Sequence, residues 1–148
     1  MSAISIEIIQ NLPYESPFLF VDEILEVDEN QIKGQFKFNK ELWFYAGHFK
    51  NNPVTPGVIL TECAAQIGLA AFGIFLLKNE SDSDLSQMKL AMTSTNIEFL
   101  KPVLSDEKVF VEAEKMYFRF NKLKSAVKIL DEVGEVVLKG EIAGVILT

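Results

Sequence analysis

Between residues 58 and 77 the chain runs for twenty positions with only two strongly polar side chains, Glu62 and Gln66. Twenty apolar residues in helical form match the hydrocarbon thickness of a bilayer, but they suit equally well a helix buried on all sides of a water-soluble fold. The flanks favour burial. Thr55-Pro56-Gly57 reads as a helix start, with Thr55 as N-cap and Pro56 at the first helical position, where its missing N–H costs nothing. Lys78 is the one positive charge close by on the C-terminal side, too little for a membrane flank. Ala64, Ala65, Gly68, Ala70, Ala71 and Gly73 leave small surfaces that let a sheet approach closely. The expectation is a buried core helix and no membrane span.

The rest of the sequence supplies the sheet. Residues 4–10 suit a short helix ended near Asn11-Leu12-Pro13, and 18–27 and 31–38 read as strands joined by Asp28-Glu29-Asn30, with Phe36 and Phe38 on one face. Residues 78–87 are rich in Ser, Asp and Asn and read as a loop. Beyond it, 89–99, 108–120 and a hairpin of 123–130 with 135–147 read as strands, since Val109, Val111 and Ala113 alternate, as do Val127 and Ile129. No repeat, low-complexity tract or charge block divides the chain, so residues 1–148 are expected to form a single domain. The plan is α+β, a mostly antiparallel sheet wrapped around one long central helix. Such a sheet keeps an open edge. With 49% hydrophobic and 24% charged residues the chain is also apolar enough to bury surface against another subunit.

Charge and composition exclude several classes of function. The net charge is −7 and Arg119 is the only arginine, so nothing favours a nucleic-acid backbone. One Cys and one His cannot build a disulfide framework, a zinc finger or a His-rich metal site; a metal would have to be a hard ion held by carboxylates, and neither metal nor cofactor is expected. The opening Met1-Ser2-Ala3-Ile4-Ser5-Ile6-Glu7 lacks a basic n-region and a continuous apolar h-region, which leads us to expect a cytoplasmic protein.

Chemistry concentrates around the helix start. Gly47-His48-Phe49 and Pro53-Val54-Thr55-Pro56-Gly57-Val58 flank a short loop, and Glu62-Cys63-Ala64-Ala65-Gln66 follows on the helix. This pattern resembles the 3-hydroxyacyl-acyl-carrier-protein dehydratases of the hotdog fold, in which an acidic residue lies fourteen positions after the His and a Gln four beyond it; His48, Glu62 and Gln66 keep that spacing. The likeness extends to Leu12-Pro13, to Pro17-Phe18-Leu19-Phe20-Val21-Asp22 and to Phe99-Leu100-Lys101-Pro102-Val103. Two departures stand out: Lys50 where the family often has Pro, and Leu104-Ser105-Asp106 where it often has a Pro-Gly-Asp turn. Glu at position 62, where a branch that also isomerises the double bond has Asp, resembles the branch that only dehydrates.

The resemblance implies removal of water from 3-hydroxyacyl thioesters on acyl carrier protein, in fatty acid synthesis or a related polyene or pigment pathway. That reaction needs a base for the α-proton, an acid for the departing hydroxyl and donors for charge on the thioester oxygen. His48 is the one side chain that is a good base near neutral pH unaided. Glu62, inside an apolar helix, should have its pKa raised by desolvation and so hold a proton to donate. The helix start aims free N–H groups, Gly57 first, at whatever lies before it. By the resemblance, the Gly57 N–H binds the thioester carbonyl, the Val54 carbonyl orients the His48 ring, and His48 of one subunit meets Glu62 of another across a dimer interface. Gln66 has two readings, steadying Glu62 or satisfying a buried amide. Cys63 points about 100° away round the helix and reads as a small core residue.

Other readings remain open at this level. A hotdog thioesterase would use Glu62 to activate water, and a non-catalytic hotdog subunit would bind acyl chains beside a working partner. Phe18, Phe20, Phe44, Phe49, Phe72, Phe75 and Phe99 are candidates to line an acyl tunnel or simply to fill the core. Lys115, Arg119, Lys122 and Lys124 form a basic cluster in an acidic chain, either a solvated strand face or a dock for acidic acyl carrier protein. The expected assembly is a homodimer or an oligomer of dimers, or a hetero-oligomer with a related hotdog subunit.

Overall fold

The computed structural model describes residues 1–81 and 84–148; Asp82 and Ser83 of the expected 78–87 loop lie outside them. Helix α1 (Ala3–Asn11) leads into strands β1 (Glu23–Val27) and β2 (Gln31–Lys37). A 3-10 turn (Trp43–Ala46) precedes the central helix α2 (Gly57–Glu80), after which come β3 (Lys89–Phe99), β4 (Lys108–Arg119), β5 (Lys122–Leu130) and β6 (Val136–Leu147). The six strands form one fully antiparallel sheet in the order β1-β2-β4-β5-β6-β3. The middle of α2 packs against five of them, β2 through β6. This is the α+β hotdog arrangement.

Helix α2 is long and apolar enough to cross a membrane, yet 78% of its most apolar window is buried inside the molecule, so its greasy surface is core. Close approach is what the small residues provide. A Cβ added at Gly68 would lie 3.0 Å from Val127 and 3.2 Å from the Ala113 Cβ, and one at Gly73 would lie 2.3 Å from Ile146. Gln66–Ala71 is wound as a π-helix, in which the Phe72 N–H passes over Gly68 to reach the Ile67 and Leu69 carbonyls. The Gly68 carbonyl takes the buried Ser125 hydroxyl of β5 instead, at 2.8 Å. The alternating residues of β4 and β5 face this helix: Val109, Val111, Ala113, Val127 and Ile129 are all buried.

Two expectations need correction. The segment predicted as strand 18–27 is strand only from Glu23; residues 18–20 form a strap against α2 in which the Phe18 carbonyl and both Phe20 backbone groups bond to the Gln66 and Cys63 side chains and not to a neighbouring strand. Pro56 is the N-cap (φ −60°, ψ 135°) and Gly57 the first helical residue, while the Thr55 hydroxyl meets the Tyr45 hydroxyl at 2.6 Å and caps nothing.

The motif after β3 also has a structural task. Leu100 N–H bonds to the Val137 carbonyl, and Lys101 holds Asp131 at 2.5 Å and Glu135 at 3.2 Å in the β5–β6 turn. Gly140 lets β3 and β6 pair closely: its φ is +157°, and an added Cβ would lie 2.0 Å from the Asn96 carbonyl oxygen and 2.9 Å from the Ile97 Cα. Both are backbone atoms of the partner strand. Gly140→Ala should therefore lower the unfolding free energy by about 1–3 kcal/mol or more, measured as a lower denaturant midpoint; an unchanged midpoint would show that β3 moves aside freely.

Candidate active site

His48 lies in a loop between the 3-10 turn and α2, and that loop is closed by its own backbone. Val54 N–H donates to the His48 carbonyl at 2.9 Å, Phe49 and Asn52 exchange bonds of 2.8 and 3.1 Å, and Thr55 N–H donates to the Val103 carbonyl at 2.9 Å. The His48 ring Nδ1 is 2.8 Å from the Val54 carbonyl oxygen. A carbonyl only accepts, so Nδ1 carries the proton and Nε2 presents its lone pair. The ring is half-buried and stacks on Phe49 with centroids 4.0 Å apart. The Val54 carbonyl is thus the hydrogen-bond partner of the ring.

Glu62 lies on the second turn of α2, half-buried. Burial pushes its carboxyl above the usual range, and a hydrogen bond from Gln66 partly offsets this. Gln66 is fully buried and does both things proposed for it: Nε2 donates to Glu62 Oε2 at 3.0 Å and to the Phe18 carbonyl at 3.0 Å, while Oε1 accepts from Phe20 N–H at 2.7 Å. Among the described residues the other Glu62 oxygen has no hydrogen-bond partner. Cys63 is the core residue expected, its thiol donating to the Phe20 carbonyl and pushed well above its ordinary pKa by burial.

Tyr14 belongs to this neighbourhood although nothing in the sequence marked it. Its ring packs against the core, and burial first, then the charge of Glu62, raise its phenol above the ordinary range. Tyr14 lies in the irregular segment between α1 and β1, which carries no periodic signal.

Gly57 opens the helix, and no acceptor meets its N–H among the described residues. The Phe99 ring covers it: a Cβ on Gly57 would lie 3.1 Å from the Phe99 Cε1 and Cζ atoms. Of the aromatic tunnel candidates, Phe20, Phe44 and Phe72 are core and Phe75 packs against it, whereas Phe18, Phe49 and Phe99 are exposed. The basic cluster divides. Arg119 pairs in register with Lys122, and Tyr117 with Lys124, beside a turn at Phe120 and Asn121 where both φ angles are positive. Lys115 lies past a strand irregularity and lines a small cavity with Glu29 and Glu80 near the end of α2.

Within one chain no hydrogen bond joins His48 to Glu62. Their surroundings differ: an imidazole bonded through Nδ1 on the loop, and a carboxyl in a desolvated position on the helix. Val58, 76% exposed at the helix start, and Phe99, 53% exposed at the end of edge strand β3, mark the face beside them as apolar and unpaired.

The profile of the FabA-like domain family matches residues 12–143. The chain is similar to the 3-hydroxyacyl-acyl-carrier-protein dehydratase FabZ of Caldicellulosiruptor bescii, with 34% identity over 138 residues, covering 92% of this chain and 93% of that one. To the enzyme of the same name from Petrotoga mobilis the identity is 33% over 129 residues, covering 86% and 88%. Among solved structures, the dehydratase heterocomplex ApeI:P from Xenorhabdus doucetiae shares the fold with a TM-score of 0.75 at 13% identity, covering 95% of this chain and 91% of that one. A hypothetical thioesterase with coenzyme A from Streptococcus pneumoniae gives 0.63 at 15% identity, covering 84% of each.

The raised Glu62 pKa has a consequence for stability. A carboxyl whose folded pKa exceeds its unfolded value contributes most below that unfolded value, here 4.5, and its contribution is lost as pH rises through the folded pKa. Glu62→Gln removes that loss. The variant should be more stable than the parent at pH 7 and the gap should close as pH falls toward 4.5, followed by denaturant midpoints across that range; a gap independent of pH would assign the effect to packing.

Proposed function

The chain belongs to the FabA-like family, and on that premise we infer that it is a hydro-lyase removing water from 3-hydroxyacyl thioesters on acyl carrier protein to give trans-2-enoyl thioesters in fatty acid biosynthesis. The observation that supports the residue-level reading is the opposite preparation of two groups. His48 commits Nδ1 to the Val54 carbonyl, leaving Nε2 as a base, and Glu62 sits where burial favours its protonated form. His48 Nε2 takes the α-proton, and the electrons of that C–H bond form the new double bond. The C–O bond to the 3-hydroxyl breaks as Glu62 donates its proton, and water leaves. The Gly57 N–H, at the positive end of α2, holds the thioester oxygen as charge builds on it. Gln66 fixes one Glu62 oxygen and leaves the other for the hydroxyl.

The working unit is an assembly in which His48 of one chain meets Glu62 of another. Edge strand β3 is eleven residues long and largely exposed, and Val58 and Phe99 beside it are apolar, which supports pairing through this edge. A second copy fits it, giving a homodimer or an oligomer of dimers; a related hotdog subunit would use the same edge. Residues 1–148 act as one dehydratase domain in the cytoplasm, without metal or cofactor. The acidic carrier protein docks at Arg119, Lys122 and Lys124, around the Phe120 tip that is 97% exposed.

Incubation with 3-hydroxyacyl thioesters should yield the enoyl thioester with little free thiol; rapid thiol release without enoyl product would instead indicate hydrolysis. His48→Ala and Glu62→Gln should each lower turnover at least ~10²-fold. Refolding the two inactive variants together should restore activity, because one site of each mixed dimer receives both intact residues, whereas confirmed mixed dimers that stay inactive would place the whole site within one chain. Charge reversal at Arg119 and Lys122 should raise KM for carrier-bound substrate while leaving a pantetheine-bound substrate unaffected. Equal effects on both substrates would remove the docking assignment.

A further inference from the structure

We propose that Tyr45 and Thr55 form a clasp that sets the orientation of His48, making this buried hydroxyl pair a positioning element of the site; the role rests on the dehydratase reading above. A base carried by a loop has no helix or strand to fix it, and small displacements of a reacting group cost much of its rate. The His48 loop has two legs. The upstream leg is the 3-10 turn that holds Tyr45, from which Phe44 O accepts the His48 N–H at 3.1 Å; the downstream leg is Val54 and Thr55, tied to Val103 and Leu104. Val54 carries the carbonyl that orients the ring, and Thr55 is its immediate neighbour.

Beneath the backbone closure, one side-chain bond joins the legs: Tyr45 OH to Thr55 Oγ1, 2.6 Å, with both residues buried. The Tyr45 ring is itself anchored, 4.6 Å from the Phe44 ring, so the bond fixes Thr55 to a rigid post three residues before His48. Two hydroxyls kept in an apolar interior are costly unless they meet each other. Burial, with the nearby Asp106 and Glu107 adding to it, holds the phenol above its ordinary pKa against the lowering effect of the Thr55 bond, so its proton stays in place. If the clasp opens, the Val54–Thr55 peptide keeps only its backbone ties to Val103 and Leu104, and the carbonyl that accepts from Nδ1 is held less firmly.

The chain has a single histidine, which gives a readout independent of turnover: the imidazole 15N resonances of the whole protein come from His48 alone. The wild type should show one tautomer, protonated at Nδ1. Tyr45→Phe and Thr55→Val should each broaden or mix the tautomer signals and lower kcat roughly 5- to 50-fold with KM within about twofold, the pattern of a misplaced catalytic group. Thr55→Ser keeps the hydroxyl and should recover most of the kcat that Thr55→Val loses. The double variant leaves no hydroxyl orphaned, so it should regain stability over the single variants without regaining kcat. Single variants that lose stability but keep kcat and a wild-type imidazole spectrum would reduce the pair to packing, as would a double variant with full kcat. A wild type that shows the single tautomer yet dehydrates nothing would overturn the functional reading and leave the clasp intact.

Discussion

A helix with no polar face must be enclosed, and in this protein the enclosure governs everything else. Helix α2 can be surrounded only if the sheet comes close on several sides, which demands glycine and alanine where strands cross it. Gly68 against Ala113 and Val127, Gly73 against Ile146 and Gly34 of β2 against Ile67 are such approaches. The π-wound middle of the helix turns the Gly68 carbonyl toward Ser125, so that even this crowded contact carries a satisfied hydrogen bond. Because the sheet is spent on wrapping the middle of α2, a strap and a loop lie against its first turns, and His48 and Glu62 are found there.

The strap and the loop solve different problems. Residues 18–20 need partners for their backbone, and Gln66 and Cys63 provide them; the same Gln66 amide then holds Glu62, so the fold contact and the functional contact share one side chain. The loop around His48 is closed by reciprocal backbone bonds and by a carbonyl that selects a tautomer. Desolvation acts on the carboxyl of Glu62 and hydrogen bonding acts on the imidazole of His48, two separate physical influences on two titratable side chains.

One of the sheet's two edges reaches the start of the helix. Edge strand β3 ends at Phe99, whose ring lies on Gly57 at the start of α2. The exposed edge and the free end of the helix therefore share one apolar surface, formed by Phe99 and Val58. Gly140, which lets β6 and β3 pair closely, supports that edge from behind.

Much of this was legible in the sequence because it depends on periodicity and on covalent spacing. The apolar run marked the helix, the alternation at Val109 to Ala113 and at Val127 to Ile129 marked the strands, and His48, Glu62 and Gln66 kept a spacing that no core requirement explains. The chain by itself determined the buried helix, most of the strands and the covalent spacing of His48, Glu62 and Gln66. What it did not determine are contacts between segments distant in sequence whose partners are single atoms. The strap reads as strand because apolar residues look alike on either surface, Thr55 reads as a cap because its preference for that position is real, and Tyr14 and Tyr45 carry no pattern at all. Only the folded chain decides that the Thr55 hydroxyl meets Tyr45, that the Tyr14 ring packs against the core and that Lys115 leaves its basic neighbours. Periodicity is a property of the local backbone, whereas a side-chain hydrogen bond exists only once tertiary packing has brought its two ends together.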